Sequence, residues 1–265
     1  MKQARAFVVA SFVLVAGSAA PASVAAQILT PPTVTAPAVA PARADTAKSL
    51  NDLVEKTIND FRRIPSWETV TILTAGSLGA FAGHAADANV TRLMAGSNGL
   101  HGALRFGETI GGARTQTAAA FATFAIGRIS GNEKVTRIGA DLIGAQILTQ
   151  TLTAGIKMSV GRTRPDGTQY SFPSGHSATT FATATVLQRN LGWKVGIPAY
   201  GLATYVAASR VQDKRHFLSD VTFGAAIGIV AGRTVTIGRG NAKFAVAPAA
   251  APGGGAVSFT WLGKN

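Results

Sequence analysis

The sequence predicts an all-α bundle followed by a short C-terminal β-hairpin, and three observations carry that expectation. Apolar residues recur at helical spacing across 46–62, and several alanine-rich runs follow with glycine-rich connections between them. None of the 265 residues is a cysteine, so neither disulfides nor thiolate metal sites shape the fold. Only after Gly238 does the period change to two, with Phe244 and Val246, a Pro-Gly-Gly-Gly break at 252–255, then Val257, Phe259 and Trp261.

Residues 1–26 read as a secretory signal. Lys2 and Arg5 precede the apolar run 6–15, and small residues lead to Val24-Ala25-Ala26, which suits cleavage before Gln27. An uncleaved anchor is the alternative, and the run is short for a span. The expected location is therefore exported, periplasmic or secreted, with membrane association left open. Residues 27–44 are rich in proline and alanine and predict an extended tether.

Residues 45–238 predict the helical domain. Across 46–62, Leu50, Leu53, Val54, Ile58 and Phe61 recur at helical spacing, and Ile64-Pro65 ends that run. Further helices are expected over 67–86, 115–129, 135–160, 175–190, 195–208 and 217–235, with 96–112 as a glycine-rich connection. Residues 239–265 form the tail that carries the hairpin.

The formal charge is +13, and removal of 1–26 deletes two cations and no acid, leaving +11. Such a balance favours anionic partners: phosphate esters, acidic lipid headgroups or nucleic acid. Nucleic acid is not expected, because no basic run is interleaved with aromatics and no zinc, RNP or basic-zipper pattern occurs. The uncharged stretches 69–83, 115–127, 142–156, 195–209 and 221–232 do not exceed 15 residues. A spanning helix needs about 20, so the expectation is a water-soluble or peripheral bundle, with a multispan protein as the alternative.

Three blocks carry the chemistry: Lys157 with Arg164-Pro165; Pro173-Ser174-Gly175-His176; and Ser209-Arg210 with His216 and Asp220. Lys157, Arg164 and Arg210 supply the fixed positive charge that a phosphoryl dianion needs. Ser174 suits an N-cap ahead of a helical run, where unpaired N–H groups receive oxyanions and Gly175 lets the backbone come close. Asp220, four residues after His216, shares a helix face with it if the segment is helical, and can fix the ring tautomer so that Nε2 is free. Taken singly, these are an ordinary helix start, a solvated helix terminus and a surface ion pair. His84 and His101 lack reliable ligand spacing, apart from Asp87 three residues after His84, so capping or loop hydrogen bonding is expected of them rather than zinc.

Together the blocks resemble the motif set of the type 2 phosphatidic-acid phosphatase and vanadium haloperoxidase superfamily. Lys157, six residues and Arg164-Pro165 match the first element. Pro173 to His176 match the second; Ser209-Arg210, five residues, His216, three residues and Asp220 match the third. The resemblance covers about a quarter of the chain. It implies a helical bundle of that kind and a phosphomonoesterase that needs no cofactor.

On that resemblance His216 is the nucleophile, Asp220 orients it, and His176 protonates the leaving oxygen. Lys157, Arg164, Ser174, Gly175 and Arg210 hold the phosphoryl oxygens. The expected partner is a phosphate ester or lipid phosphate, with an anionic membrane surface as a second. A vanadate-dependent haloperoxidase, which would take vanadate into the same cradle, and a non-catalytic anion-binding envelope protein are the competing functions. Phe172, Phe181 and Tyr205 either line a leaving-group pocket or pack the core.

Overall fold

The structure, a computed structural model, describes residues 11–15, 50–237, 244–251 and 254–261. The chain divides into two compact units, residues 44–240 and the paired segments 1–43 and 241–265. In the smaller unit, β1 (Ser11–Val15), β2 (Phe244–Ala251) and β3 (Gly254–Trp261) form an antiparallel sheet in the order β1-β3-β2. Phe244 pairs with Trp261 and Ala251 with Gly254, so β2 and β3 make a hairpin, while Ser11 pairs with Thr260. Apart from Ser11–Val15, the segment expected as a signal and the tether after it lie outside the described residues.

The larger unit is helical: α1 (Leu50–Arg63), α2 (Trp67–His84), α3 (Asp87–Ala95), α4 (Asn98–Leu104), α5 (Gly107–Gly111), α6 (Ala113–Ile129), α7 (Glu133–Val160), α8 (Gly175–Leu191), α9 (Trp193–Gln212) and α10 (Leu218–Val235). The six runs expected after the first match α2, α6, α7, α8, α9 and α10 to within a few residues. The glycine-rich stretch 96–112 is a correction, since most of it is helical in α4 and α5, with α3 just before it. Propensity alone does not hold α5, because Gly107 lies against Ser209 and Gly111 against Val206 with no room for a side chain.

α7 forms the core, packed by α6, α8 and α10. Ile138, Leu142, Ile143, Ala145 and Leu148 are buried along it, against Ala182 and Val186 of α8 and Ala231 and Val235 of α10. α8 and α10 meet unusually closely. Gly224, Gly228 and Gly232 recur every four residues on α10 and face the α8 backbone; a Cβ on Gly228 would come within 2.2 Å of the Ala178 carbonyl oxygen. Small residues at that spacing form a groove into which the neighbouring helix sinks.

Helix ends aim the functional residues. Asn132 caps α7, its side chain accepting from the N–H groups of Lys134 and Val135 at 3.1 Å. At the other end Gly161 takes φ 60°, the left-handed region where glycine is favoured, and stops the helix one turn past Lys157. Among the described residues α10 alone is long and apolar enough to cross a membrane, and 67% of it is buried inside the protein. Other helices turn apolar side chains outward, including Leu78 and Phe81 of α2, Ile126 and Ile129 of α6, and Trp193 and Ile197 of α9.

Candidate active site

The three blocks converge through backbone contacts. Ser174 N–H donates to the Asp220 carbonyl oxygen at 3.0 Å, which joins the second block to the third. Lys157 Nζ donates to the Tyr170 carbonyl oxygen at 2.6 Å and the Ser171 carbonyl oxygen at 3.4 Å, so the end of α7 is tied to the segment leading into Pro173. Tyr170 holds a left-handed backbone, φ 67°, which turns its carbonyl to that lysine. The Phe172-Pro173 peptide bond is cis. His216 N–H donates to the Arg210 carbonyl oxygen at 3.2 Å.

His216 and Asp220 do not share a helix face, contrary to expectation: α10 starts at Leu218, and His216 belongs to the loop before it. Both are buried, which excludes a surface ion pair, and His216 Nδ1 lies 3.7 Å from Asp220 Oδ2. At that separation the contact is electrostatic rather than a formed hydrogen bond. Asp220 itself is densely held. Its Oδ2 accepts from the Ser171 hydroxyl and from Phe217 N–H at 2.8 Å, and its Oδ1 from Arg162 NH1 at 2.7 Å. Burial works to raise the Asp220 pKa, but His216, Ser171, Phe217 N–H and Arg162 together hold it below the ordinary carboxylate value.

Arg162 is the main residue that the sequence motifs do not reveal. Its guanidinium stacks on the Phe217 ring, 4.3 Å from the centroid, and its NH2 donates to Asp87 Oδ2 at 2.8 Å. Asp87 also accepts from Ser219, N–H to Oδ1 at 2.9 Å and hydroxyl to Oδ2 at 2.6 Å. Only position hinted at Arg162, which stands between the helix-stopping Gly161 and the motif Arg164. Nothing local marks Ser171 or Ser219, and the spacing of Asp87 from His84 shows only its local contact, because the partners that tie these residues to the site lie far away in sequence.

The cations differ in what they already hold. Arg210 is 2% exposed and engaged, with NH2 on Asp213 Oδ2 at 2.5 Å and NH1 3.4 Å from Glu108 Oε2. Lys157 and Arg164 have no carboxylate within ion-pair distance among the described residues, and Arg164 Nε is buried without a hydrogen-bond partner. Burial, then the charge of Arg164, lowers the Lys157 pKa to about 8 against the pull of Asp220; burial and Arg215 lower that of Arg164. Two desolvated cations without a carboxylate partner among the described residues, Lys157 held only by carbonyl oxygens, favour a nearby anion.

His176 sits in the first turn of α8. Burial pushes its pKa down to about 4, helped by Arg210, His216 and Lys157 and opposed by Glu108. Burial also lowers that of His216, against the support of Asp220 and with Lys157 and Arg164 adding to the fall. These couplings bring every predicted cation and both motif imidazoles within one electrostatic neighbourhood. Ser174 caps α8, its Oγ accepting from Ser177 N–H at 3.4 Å, and Gly175 opens onto free space.

The remaining histidines make side-chain hydrogen bonds, His84 within its own turn and His101 across to α9. His84 Nδ1 is 3.1 Å from Asp87 Oδ2, and His101 Nδ1 is 3.2 Å from the side-chain nitrogen of Gln212. Of the three aromatic candidates, Phe172 stacks on Phe223 at 4.9 Å and Tyr205 hydroxyl donates to the Ala103 carbonyl oxygen at 2.9 Å, both structural roles. Phe181 lines a cavity of about 350 Å³ with Met94, Ala207, Val211, Leu218 and Val221. Its walls are almost wholly apolar, and Val211, Leu218 and Val221 adjoin Arg210, Phe217 and Asp220 in the chain.

Known proteins resemble both the segment that holds the three blocks and the helical fold. Residues 138–243 match the family described as the PAP2 superfamily. Over 97 residues, 35% of the chain, it is 41% identical to the lipid A 1-phosphatase of Porphyromonas gingivalis, strain ATCC 33277. The chain spans only 22% of that relative's length. Its fold is similar to the first transmembrane PAP2 type phosphatidylglycerolphosphate phosphatase from Bacillus subtilis, with a TM-score of 0.52 and 21% identity over 64% of this chain and 95% of that one. Against Aquifex aeolicus LpxE the TM-score is 0.49, at 24% identity over 57% and 94% of the two chains.

Proposed function

We propose that the protein is a phosphatase that hydrolyses phosphomonoesters, lipid phosphates foremost, through a phosphohistidine on His216 and without a metal. The observation that carries this reading is the pair of cations without a carboxylate partner among the described residues, Lys157 and Arg164, in the electrostatic reach of a buried imidazole that faces Asp220. A lone anion pocket has no use for that imidazole.

The reaction follows from these groups. The phosphoryl oxygens rest on Lys157, Arg164, Arg210, Ser174 and the first N–H groups of α8, where charge develops in the transition state. His216 Nε2 attacks phosphorus in line as the ester P–O bond breaks, and Asp220 stabilises the positive charge that forms on the ring. His176 is neutral in the empty site because of burial and its cationic neighbours. A phosphate dianion reverses that balance, so His176 takes up a proton and passes it to the leaving alkoxide. The same ring then removes a proton from water, whose oxygen attacks phosphorus, breaks the N–P bond and releases phosphate.

The apolar cavity favours an ester with a hydrocarbon chain over a small soluble one, and the outward apolar side chains of α2, α6 and α9 favour work at an anionic membrane. The relative named for lipid A and the basic charge agree with such a substrate. Export to the periplasm is part of the proposal, resting on residues 1–26. Phosphate release should be compared across phosphatidate, phosphatidylglycerophosphate, a lipid A type glycosyl phosphate and an aryl phosphate, with and without chelator. The reading requires turnover that survives chelator and prefers a lipid; halide oxidation dependent on added vanadate, without phosphate release, would replace it.

A further inference from the structure

Asp87 lies on α3, N-terminal to the segment that matches the family, yet it is 4% exposed and reaches the dyad through one guanidinium. Arg162 NH2 is held by Asp87 Oδ2 at 2.8 Å and its face rests on Phe217 at 4.3 Å. The group is planar, so those two restraints leave NH1 a single direction, towards Asp220 Oδ1 at 2.7 Å and Ser219 Oγ at 2.7 Å. Asp220 Oδ1 is thereby occupied, and its Oδ2, fixed by Ser171 and Phe217 N–H, is the oxygen turned to His216 Nδ1.

We propose that Asp87 is a positioning residue for the dyad: from α3 it orients Arg162, which orients Asp220, which holds His216 in the Nδ1–H tautomer with Nε2 free. This rests on His216 being the nucleophile. A competing account gives Asp87 only a latch between α3 and α10, since it also accepts two hydrogen bonds from Ser219. The two accounts differ in whether Asp87 acts through Arg162.

The test uses the full chain labelled with 15N-histidine, in which ring shifts report the His216 tautomer and the His216→Ala variant assigns its signals. Asp87→Asn and Arg162→Gln should each lower the Nδ1–H population, and the double variant should lower it no further. Alongside, each single change should reduce kcat about tenfold or more with little change in KM, and the double should be no slower than Arg162→Gln. An unchanged tautomer and kcat in Asp87→Asn, or losses that multiply in the double variant, overturn the proposal. Should Asp87→Asn not fold, Arg162→Lys carries the test: it keeps the charge but cannot fork between two carboxylates, and an undisturbed tautomer overturns the proposal. A wild type without phosphatase turnover would sink the function proposed above, while the ring shifts still decide the link from Asp87 to His216.

Discussion

Ser174 N–H and the Asp220 carbonyl oxygen are 3.0 Å apart, so the residue that caps α8 is hydrogen-bonded to the first turn of α10. The start of α8 and the residue that carries the Asp220 carboxylate therefore share one joint, and several outcomes follow from the function proposed for what is attached to it.

His216→Ala should lower turnover by about three orders of magnitude or more, as loss of a covalent nucleophile does. Acid-labile phosphate should be trappable on the wild type during turnover and absent from the variant. Normal turnover in the variant would assign the nucleophile elsewhere.

Arg164→Ala should lower kcat about a hundredfold, the usual consequence of removing one preorganised donor to a developing oxyanion. Inorganic phosphate should inhibit that variant more weakly, because Arg164 has no carboxylate to satisfy and is available to the ligand.

Folding should weaken as pH falls from about 6.5 towards 4. Burial lowers the His176 pKa from 6.5 to about 4, so the unfolded chain binds the proton first and native stability is lost across that window. The lowered pKa of His216 acts in the same sense, whereas the lowered carboxylates Asp87 and Asp220 act only below 3.8. Urea midpoints of wild type and His176→Ala should converge as pH falls, and added phosphate should flatten the wild-type curve by favouring protonated His176.

Ala208→Phe, at the wall of the apolar cavity, should reduce hydrolysis of a long-chain lipid phosphate far more than that of an aryl phosphate. Equal losses on both would show that the cavity does not select the substrate.

Much of the larger unit was legible because α1 carries its apolar residues at helical spacing and long alanine-rich runs follow, and because Gly161 and Ser174 mark helix ends with their own backbone chemistry. The motif residues were legible from order and spacing. α3 to α5 were not, since glycine is a poor helix former and here it is present to let α5 lie on α9. Arg162, Ser171, Ser219 and the link of Asp87 to them were hidden for another reason: each is defined by a partner brought near only by folding. The local rule that places residues four apart on one face also misread His216, which precedes the helix that holds Asp220.

Gly224, Gly228 and Gly232 leave no side-chain cushion between α8 and α10. The halves of the cradle carried by those helices are consequently fused, unable to widen or slide when a bulkier headgroup arrives. The same close approach recurs where α5 meets α9, since Gly107 and Gly111 leave no room for a side chain against Ser209 and Val206, and there Glu108 lies beside Arg210. A side chain introduced at any of these five glycines would therefore push apart helices that carry the motif residues.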